Sequence, residues 1–172
     1  MRGKMIGSCV GIVAGLVFVL VNAGELPGPW SVASRLAGIA AAALSLAVVL
    51  RAPGGQSPQP SRQAIRTYGW SVAAMVVSIP VGAALLSGPL GAPELTVLWV
   101  VAVVGAHFLP FASAFEAPVF RPLALTLITV AVLGVPFTLT WGKAAADTMA
   151  VVAGFTLLWF AAQGARDEAR AS

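Results

Sequence analysis

Hydrophobic residues run along this chain in six long stretches, separated by short segments rich in polar residues, Gly and Pro. Each stretch holds about 17 to 22 apolar residues, close to the roughly 20 with which an α-helix crosses a bilayer. The stretches are continuous, without the alternation of a membrane-spanning β-strand. The pattern therefore predicts six transmembrane helices, at about residues 5–23, 31–50, 69–88, 95–115, 122–141 and 146–164.

Composition supports lipid as the surrounding solvent. Of 172 residues, 59% are hydrophobic and 9% charged, against about 25% charged in an ordinary soluble domain. Six helices use most of the chain, so we predict one all-α transmembrane domain over residues 1–172, with the lipid bilayer as its partner. The sizeable polar connection at residues 51–67 is rich in Pro, Gly, Gln and Ser, which predicts a flexible loop.

The first stretch has a second interpretation. A short basic start, an apolar segment and the small residues before Ala23 also fit a signal peptide cleaved after that residue. The apolar segment is long for a signal peptide, and five further stretches follow it, so we predict a retained first helix. Cys9 is the only cysteine, which excludes a disulfide within the chain.

The distribution of positive charge predicts the orientation. Arg and Lys in short loops are retained on the cytoplasmic side of a membrane. If six helices alternate, eight of the ten basic residues fall on one side and two on the other, together with Glu25, Glu94 and Asp147. We therefore expect both termini in the cytoplasm and the protein in the cell membrane. Membrane topology explains these charges better than nucleic-acid binding, and we predict no nucleic-acid partner.

Small and polar residues recur on one face of most of the predicted helices. Such residues mark helix contacts in lipid, because they allow close approach or hydrogen bonds between helices. We expect these faces to point inward, as packing surfaces or as the lining of a hydrated path. The first helix also offers a glycine face for a homo-oligomer. The faces are Gly7, Gly11, Gly15 and Asn22; Ser31, Ser34, Arg35, Gly38, Ala42 and Ser45; Ser71, Met75, Ser78 and Gly82; Thr126, Thr129, Pro136 and Thr140; and Thr148, Thr156 and Gln163.

Arg35 is unusual because it lies inside an apolar stretch, on the side that the charge rule disfavours. One interpretation is that its long side chain reaches the outer headgroups. The other is an ion pair with Glu25, Glu94 or Asp147, which with Asn22 would form an outer polar pocket for an anionic or zwitterionic solute.

His107 is the only histidine and lies past the middle of the fourth stretch, before Pro110. A neutral ring hydrogen-bonded to a carbonyl, or to a Ser or Thr on a neighbouring helix, is one interpretation. A proton relay or gate is the other, since the pKa of histidine is ordinarily near neutral. Pro110 would bend the helix beside it.

The sequence contains no recognisable catalytic or metal-binding pattern. His107 and Cys9 lie far apart in sequence without ligand spacing, and no nucleophile has a base beside it. No Gly-rich loop follows a strand to hold phosphate. We therefore expect neither an enzyme nor a cofactor.

Together with "VNAGELPGPW" upstream, the stretch "GAHFLPFASAFEAPVFR" resembles small multi-spanning membrane proteins of high-GC bacteria that carry a His-Phe-Leu-Pro segment in a central helix. The resemblance covers about half of the chain. It implies no activity, but it marks His107 and Pro110 as residues to test.

Permeation or transport of a small solute or ion is the function we expect from these features. Asn22 and Arg35 would lie near its outer mouth, with His107 and Pro110 toward the inner side. The sequence does not identify the solute. The alternative is a scaffold or regulatory subunit of the membrane, in which the small-residue faces only pack helices.

Overall fold

The protein is all-helical in the computed structural model, which describes residues 2–52, 61–115 and 117–171. Six α-helices are long and apolar enough to cross a membrane within those residues. Short 3-10 helices at Ala23–Glu25 and Pro93–Leu95 precede α2 and α4. The α-helices are α1 (Arg2–Asn22), α2 (Pro29–Arg51), α3 (Arg62–Ser87), α4 (Thr96–Ala114), α5 (Phe120–Trp141) and α6 (Lys143–Ala171).

The third helix begins earlier than the sequence pattern predicts. The loop predicted over residues 51–67 is wrong from Arg62 onward, because α3 starts there. The Ser61 hydroxyl caps the helix by accepting a hydrogen bond of 3.0 Å from the amide of Ala64. Hydropathy marks only the apolar part of a helix, so it missed these polar first turns. Residues 53–60 of the predicted loop lie outside the described residues.

Contacts between residues group the chain into two compact units, which we describe separately. The first unit consists of Met1–Gln59 and Val151–Ser172, and the second of Pro60–Ala150. The first unit therefore holds α1, α2 and most of α6. The second holds α3, α4, α5 and the start of α6.

Close backbone approach holds the helices of the first unit together. A Cβ added to Gly15 of α1 would lie 2.8 Å from the carbonyl oxygen of Gly154 in α6, and one added to Gly154 would lie 2.7 Å from that of Gly15. The Ser45 hydroxyl of α2 donates to the carbonyl of Leu158 in α6 at 3.0 Å. Small residues thus let these helices meet backbone to backbone.

Larger side chains fill the contacts of the second unit. The Trp99 indole of α4 lies over Gly82 of α3 and donates to the carbonyl of Ser78 at 2.8 Å. A Cβ added to Gly105 of α4 would lie 3.0 Å from the Cβ of Leu127 in α5. Glycines in this unit make room for a neighbour's side chain.

Each of the three long helices of the second unit carries an internal proline: Pro80 in α3, Pro110 in α4 and Pro136 in α5. Proline has no amide hydrogen, so each position lacks one helical hydrogen bond. The turn from α5 to α6 is a single residue, Gly142, whose φ of 72° suits glycine.

The outer faces of the helices are strongly apolar, which is expected where lipid covers them. Large hydrophobic side chains are exposed on all six, including Val17, Leu36, Val76, Leu133 and Trp159.

One predicted inward face is wrong. Thr126, Thr129, Pro136 and Thr140 of α5 are all exposed, whereas its buried face consists of Leu123, Ala124, Leu127, Ala131, Gly134 and Thr138. Polarity misled the prediction, because a threonine can satisfy its hydroxyl on its own helix and still face lipid.

Candidate functional site

A hydrogen-bonded pair of side chains joins α3 to α4. The Ser71 hydroxyl oxygen lies 3.1 Å from Nδ1 of His107 and 2.9 Å from the carbonyl oxygen of the same residue. Both residues are partly buried. The interpretation of His107 as a ring bonded to Ser or Thr on a neighbouring helix is therefore confirmed in its geometry.

The two contacts of Ser71 can be satisfied together in one tautomer of the neutral ring. A hydroxyl has one hydrogen to donate, and the His107 carbonyl can only accept it. The hydroxyl oxygen is then an acceptor toward Nδ1, so the neutral ring carries its hydrogen on Nδ1. Nε2 is left with a free lone pair that can take up a proton.

Aromatic rings enclose one side of this pair. Phe111 is buried at the centre, with its ring centroid 4.6 Å from that of His107 in an edge-on arrangement. Phe111 also stacks on Tyr68 of α3 at 5.5 Å. The cluster continues to Phe108, Phe115 and Phe120. Edge-on and offset ring contacts fix the orientation of the imidazole.

An open cavity of about 730 Å³ lies on the other side of Ser71, within the size range of small-molecule sites. Two arginines of the first α3 turns, Arg62 and Arg66, contribute its charge, and no acidic residue is among the described residues that line it. The lining residues are Arg62, Gln63, Arg66, Thr67, Trp70, Ser71, Ala74 and Pro110.

Sequence reasoning missed this cavity because it assigned residues 62–67 to a loop. The usable signal was the helical spacing of Arg62, Arg66 and Trp70, four residues apart, directly after a serine suited to cap a helix. Of the four predicted pathway residues, Pro110 lies in its lining. Ser71, predicted on the inward face of the third helix, lines it too and contacts His107.

The four residues of the predicted polar pathway divide between the two units. Asn22 and Arg35 belong to the first unit, whereas His107 and Pro110 belong to the second. The Asn22 amide donates to the carbonyl of Phe18 on its own helix at 2.7 Å. Arg35 is exposed, and its guanidinium lies so close to Gly24 that a Cβ there would be 2.7 Å away. A pathway through all four residues stays a prediction.

Two of the three glycines predicted to form a packing face of α1 contact α6. Gly15 lies against Gly154, and a Cβ added to Gly11 would lie 3.4 Å from the Cβ of Ala161. At Gly7, no atom of the described residues lies within 4 Å of that position. A homo-oligomer through this face stays a prediction, and Gly7 marks its accessible part.

Hydroxyl groups on α5 and α6 are largely satisfied within their own helices. Thr126, Thr138, Thr140, Thr148 and Thr156 each donate to the carbonyl four residues earlier, at 2.7 to 2.9 Å. Hydroxyls bonded in this way do not require a water-filled path to satisfy them.

One carboxylate is buried at the start of α6. Asp147 is 2% exposed and accepts a hydrogen bond of 2.7 Å from Lys143, one helical turn earlier. Asp147 was one of the three acids considered as partners for Arg35, and Lys143 holds it in the structure. The pair satisfies a charge that would be costly to bury alone.

Among the described residues, no group of three or more His, Cys, Asp or Glu side chains could hold a metal ion. Comparison with known proteins found no matching family model, curated protein or solved structure.

Proposed function

We propose that this protein moves protons or small solutes across the cell membrane, with both termini in the cytoplasm and His107 as the proton-handling residue. The observation that supports the proposal is the Ser71 hydroxyl, which contacts the His107 ring and also lines the open cavity. A titratable ring inside a membrane span thereby has a hydrogen-bonded connection to a space that water can enter.

The chemistry of such a step follows from the hydrogen bonds. A proton arriving at Nε2 converts the ring to imidazolium, whose Nδ1 hydrogen points at the Ser71 oxygen. For release, the Ser71 hydroxyl has to turn its hydrogen from the His107 carbonyl toward a water molecule in the cavity; it then passes that hydrogen to the water and accepts the Nδ1 hydrogen of the ring. One proton then enters at the ring and one leaves at the cavity. The ring is left protonated on Nε2 and has to reset before the next transfer.

The proposed orientation rests on the arginines at the helix ends. If the six spans alternate in direction, one side of the membrane receives the helix ends that carry Arg51, Arg62, Arg66, Arg121 and Arg166, and the charge rule places the cytoplasm there. Cysteine labelling tests this orientation in whole cells, starting from a Cys9→Ser background. We expect Ser87→Cys to react with an impermeant maleimide from outside, and Gln63→Cys to react only after the cells are lysed.

Proton flux into liposomes tests the activity. Purified protein is reconstituted, a pH step is applied, and the wild type is compared with His107→Ala and Ser71→Ala. We expect His107→Ala to abolish flux and Ser71→Ala to reduce it about a hundredfold or more, within the usual range for loss of a proton-transfer group. Ser113→Ala is the matched control, because that hydroxyl on α4 donates only to Pro110 of its own helix.

A non-transporting scaffold or regulatory subunit is the second candidate. It is favoured by the threonines of α5 and α6 that bond to their own helices, since hydroxyls satisfied in this way need no water-filled path beside them. Folded wild-type protein that conducts neither protons nor a panel of small anions would support this candidate over the first.

A further inference from the structure

The start of α3 extends beyond the length that a bilayer core requires. The helix has 26 residues, or about 39 Å at roughly 1.5 Å per residue, whereas the hydrocarbon core is about 30 Å thick. The uninterrupted apolar part begins near Gly69, so the polar residues before it form the part that projects. Arg62 and Arg66 therefore lie at the level of lipid headgroups.

The side chains on this projecting part are those that membranes place at their surface. Trp70 is 73% exposed, one helical turn deeper than Arg66. Tryptophan collects at the boundary between hydrocarbon and headgroups, with its ring in one and its N–H toward the other. The arginines therefore lie at the depth of the phospholipid headgroups, and the exposed tryptophan lies at the boundary with the hydrocarbon below them.

The cavity brings the charge of Arg62 and Arg66 together with other groups that a phospholipid can contact. Its two arginines are exposed and can form paired hydrogen bonds with a phosphate group. Gln63 and Thr67 add neutral hydrogen-bonding groups, while Ala74 and Pro110 are apolar. The polar lining residues suit a phosphate, and the apolar ones suit the glycerol and the first acyl carbons.

The geometry points to a binding site for an anionic phospholipid headgroup in this cavity, with Arg62 and Arg66 holding the phosphate and Trp70 lying beside the acyl chains. Basic pockets between helices at the membrane surface bind such headgroups. The site shares its cavity with the proposed proton step through Ser71, but lipid binding is measured without flux, so the two proposals can fail separately.

Native mass spectrometry of the full-length protein tests the site. The protein is released from bilayers of phosphatidylglycerol and phosphatidylcholine mixed one to nine, and the lipids retained per chain are counted. We expect phosphatidylglycerol to be enriched over its share of the bilayer. Arg62→Gln/Arg66→Gln should lower the ratio of retained phosphatidylglycerol to retained phosphatidylcholine about tenfold or more, since each arginine near a membrane surface contributes several-fold to anionic-lipid affinity.

The matched control is Arg51→Gln/Arg121→Gln, which removes the same charge from exposed arginines at the ends of other helices. It should keep the enrichment. Circular dichroism checks that both double variants fold. If Arg62→Gln/Arg66→Gln does not fold, Arg62→Lys/Arg66→Lys replaces it in the experiment. That variant keeps the charge but loses the planar fork, so it should retain only part of the enrichment.

Two outcomes would overturn the inference. Equal enrichment in the wild type and the Arg62/Arg66 variant would mean that the cavity does not select the headgroup. Complete displacement of the lipid by excess inorganic phosphate or glycerol phosphate would identify a site for soluble anions instead. A variant that loses proton flux but still retains phosphatidylglycerol separates this site from the proposed transport function. A variant that loses the lipid but keeps its flux does the same.

Discussion

The two units of this protein join their helices in opposite ways. In the first unit, the backbones of α1 and α6 approach closely at two glycines, Gly15 against Gly154. In the second unit, α3 and α4 meet through large side chains: the Trp99 indole over Gly82, and Ser71 bonded to His107. A contact made of backbone tolerates almost no added atom, whereas a contact made of side chains can rearrange. The first arrangement suits a fixed support, and the second suits a site that changes state.

The largest effect should come from adding one methyl group to the backbone contact. Gly15→Ala places its Cβ 2.8 Å from a carbonyl oxygen that cannot move without its helix. We expect a net loss of about 1 to 3 kcal/mol of stability, measured by reversible unfolding in mixed micelles. Gly7→Ala is the control on the same face, and with open space around it the change should be neutral or slightly stabilising. Equal effects of the two changes would contradict the close contact.

A smaller loss is expected where the same methyl group meets a side chain. Gly82→Ala overlaps the Trp99 indole, which can swing away at the cost of its bond to Ser78. We expect the protein to lose about 0.5 to 1.5 kcal/mol of stability, the usual contribution of one hydrogen bond. Combining the change with Trp99→Ala in a double-mutant cycle should remove most of the loss. Gly69→Ala, also on α3 and without neighbours, is the control.

Removing the Ser71 hydroxyl should cost less stability but change the histidine measurably. We expect Ser71→Ala to lose about 0.6 kcal/mol, the average for a hydrogen bond between membrane helices. Because His107 is the only histidine, nitrogen NMR reports its tautomer without assignment. The wild type should show hydrogen on Nδ1, and the variant should show a larger share on Nε2. An unchanged spectrum would mean that Ser71 does not set the tautomer; Ser113→Ala should leave it unchanged.

The smallest effect is expected for a hydroxyl bonded within its own helix. Thr140 is exposed and donates to Pro136, so Thr140→Val should change stability by less than about 0.5 kcal/mol. Ser45→Ala, which removes a bond between α2 and α6, should cost more in the same unfolding assay. The reverse order would show that hydroxyls facing outward contribute to helix association.

Hydropathy predicted the six helices because lipid selects their length and composition directly. Glycine spacing also identified the face of α1 that contacts α6, since steric room depends on residue size alone. The bond between Ser71 and His107 could not be predicted as a pair, because it depends on the rotation and offset of two helices. The cavity was missed for a different reason: its arginines lie on helical turns too polar to resemble a transmembrane segment.

The three internal prolines have a mechanical consequence for the second unit. Pro80, Pro110 and Pro136 interrupt three consecutive helices, whereas α1 and α6 contain no proline and α2 has one only at its first residue. A helix that lacks one backbone hydrogen bond bends at that point at a lower cost in free energy than elsewhere. Elastic compliance is thus concentrated in the part of the chain that carries the histidine. Amide hydrogen exchange should accordingly be faster around these prolines than in the middle of α1.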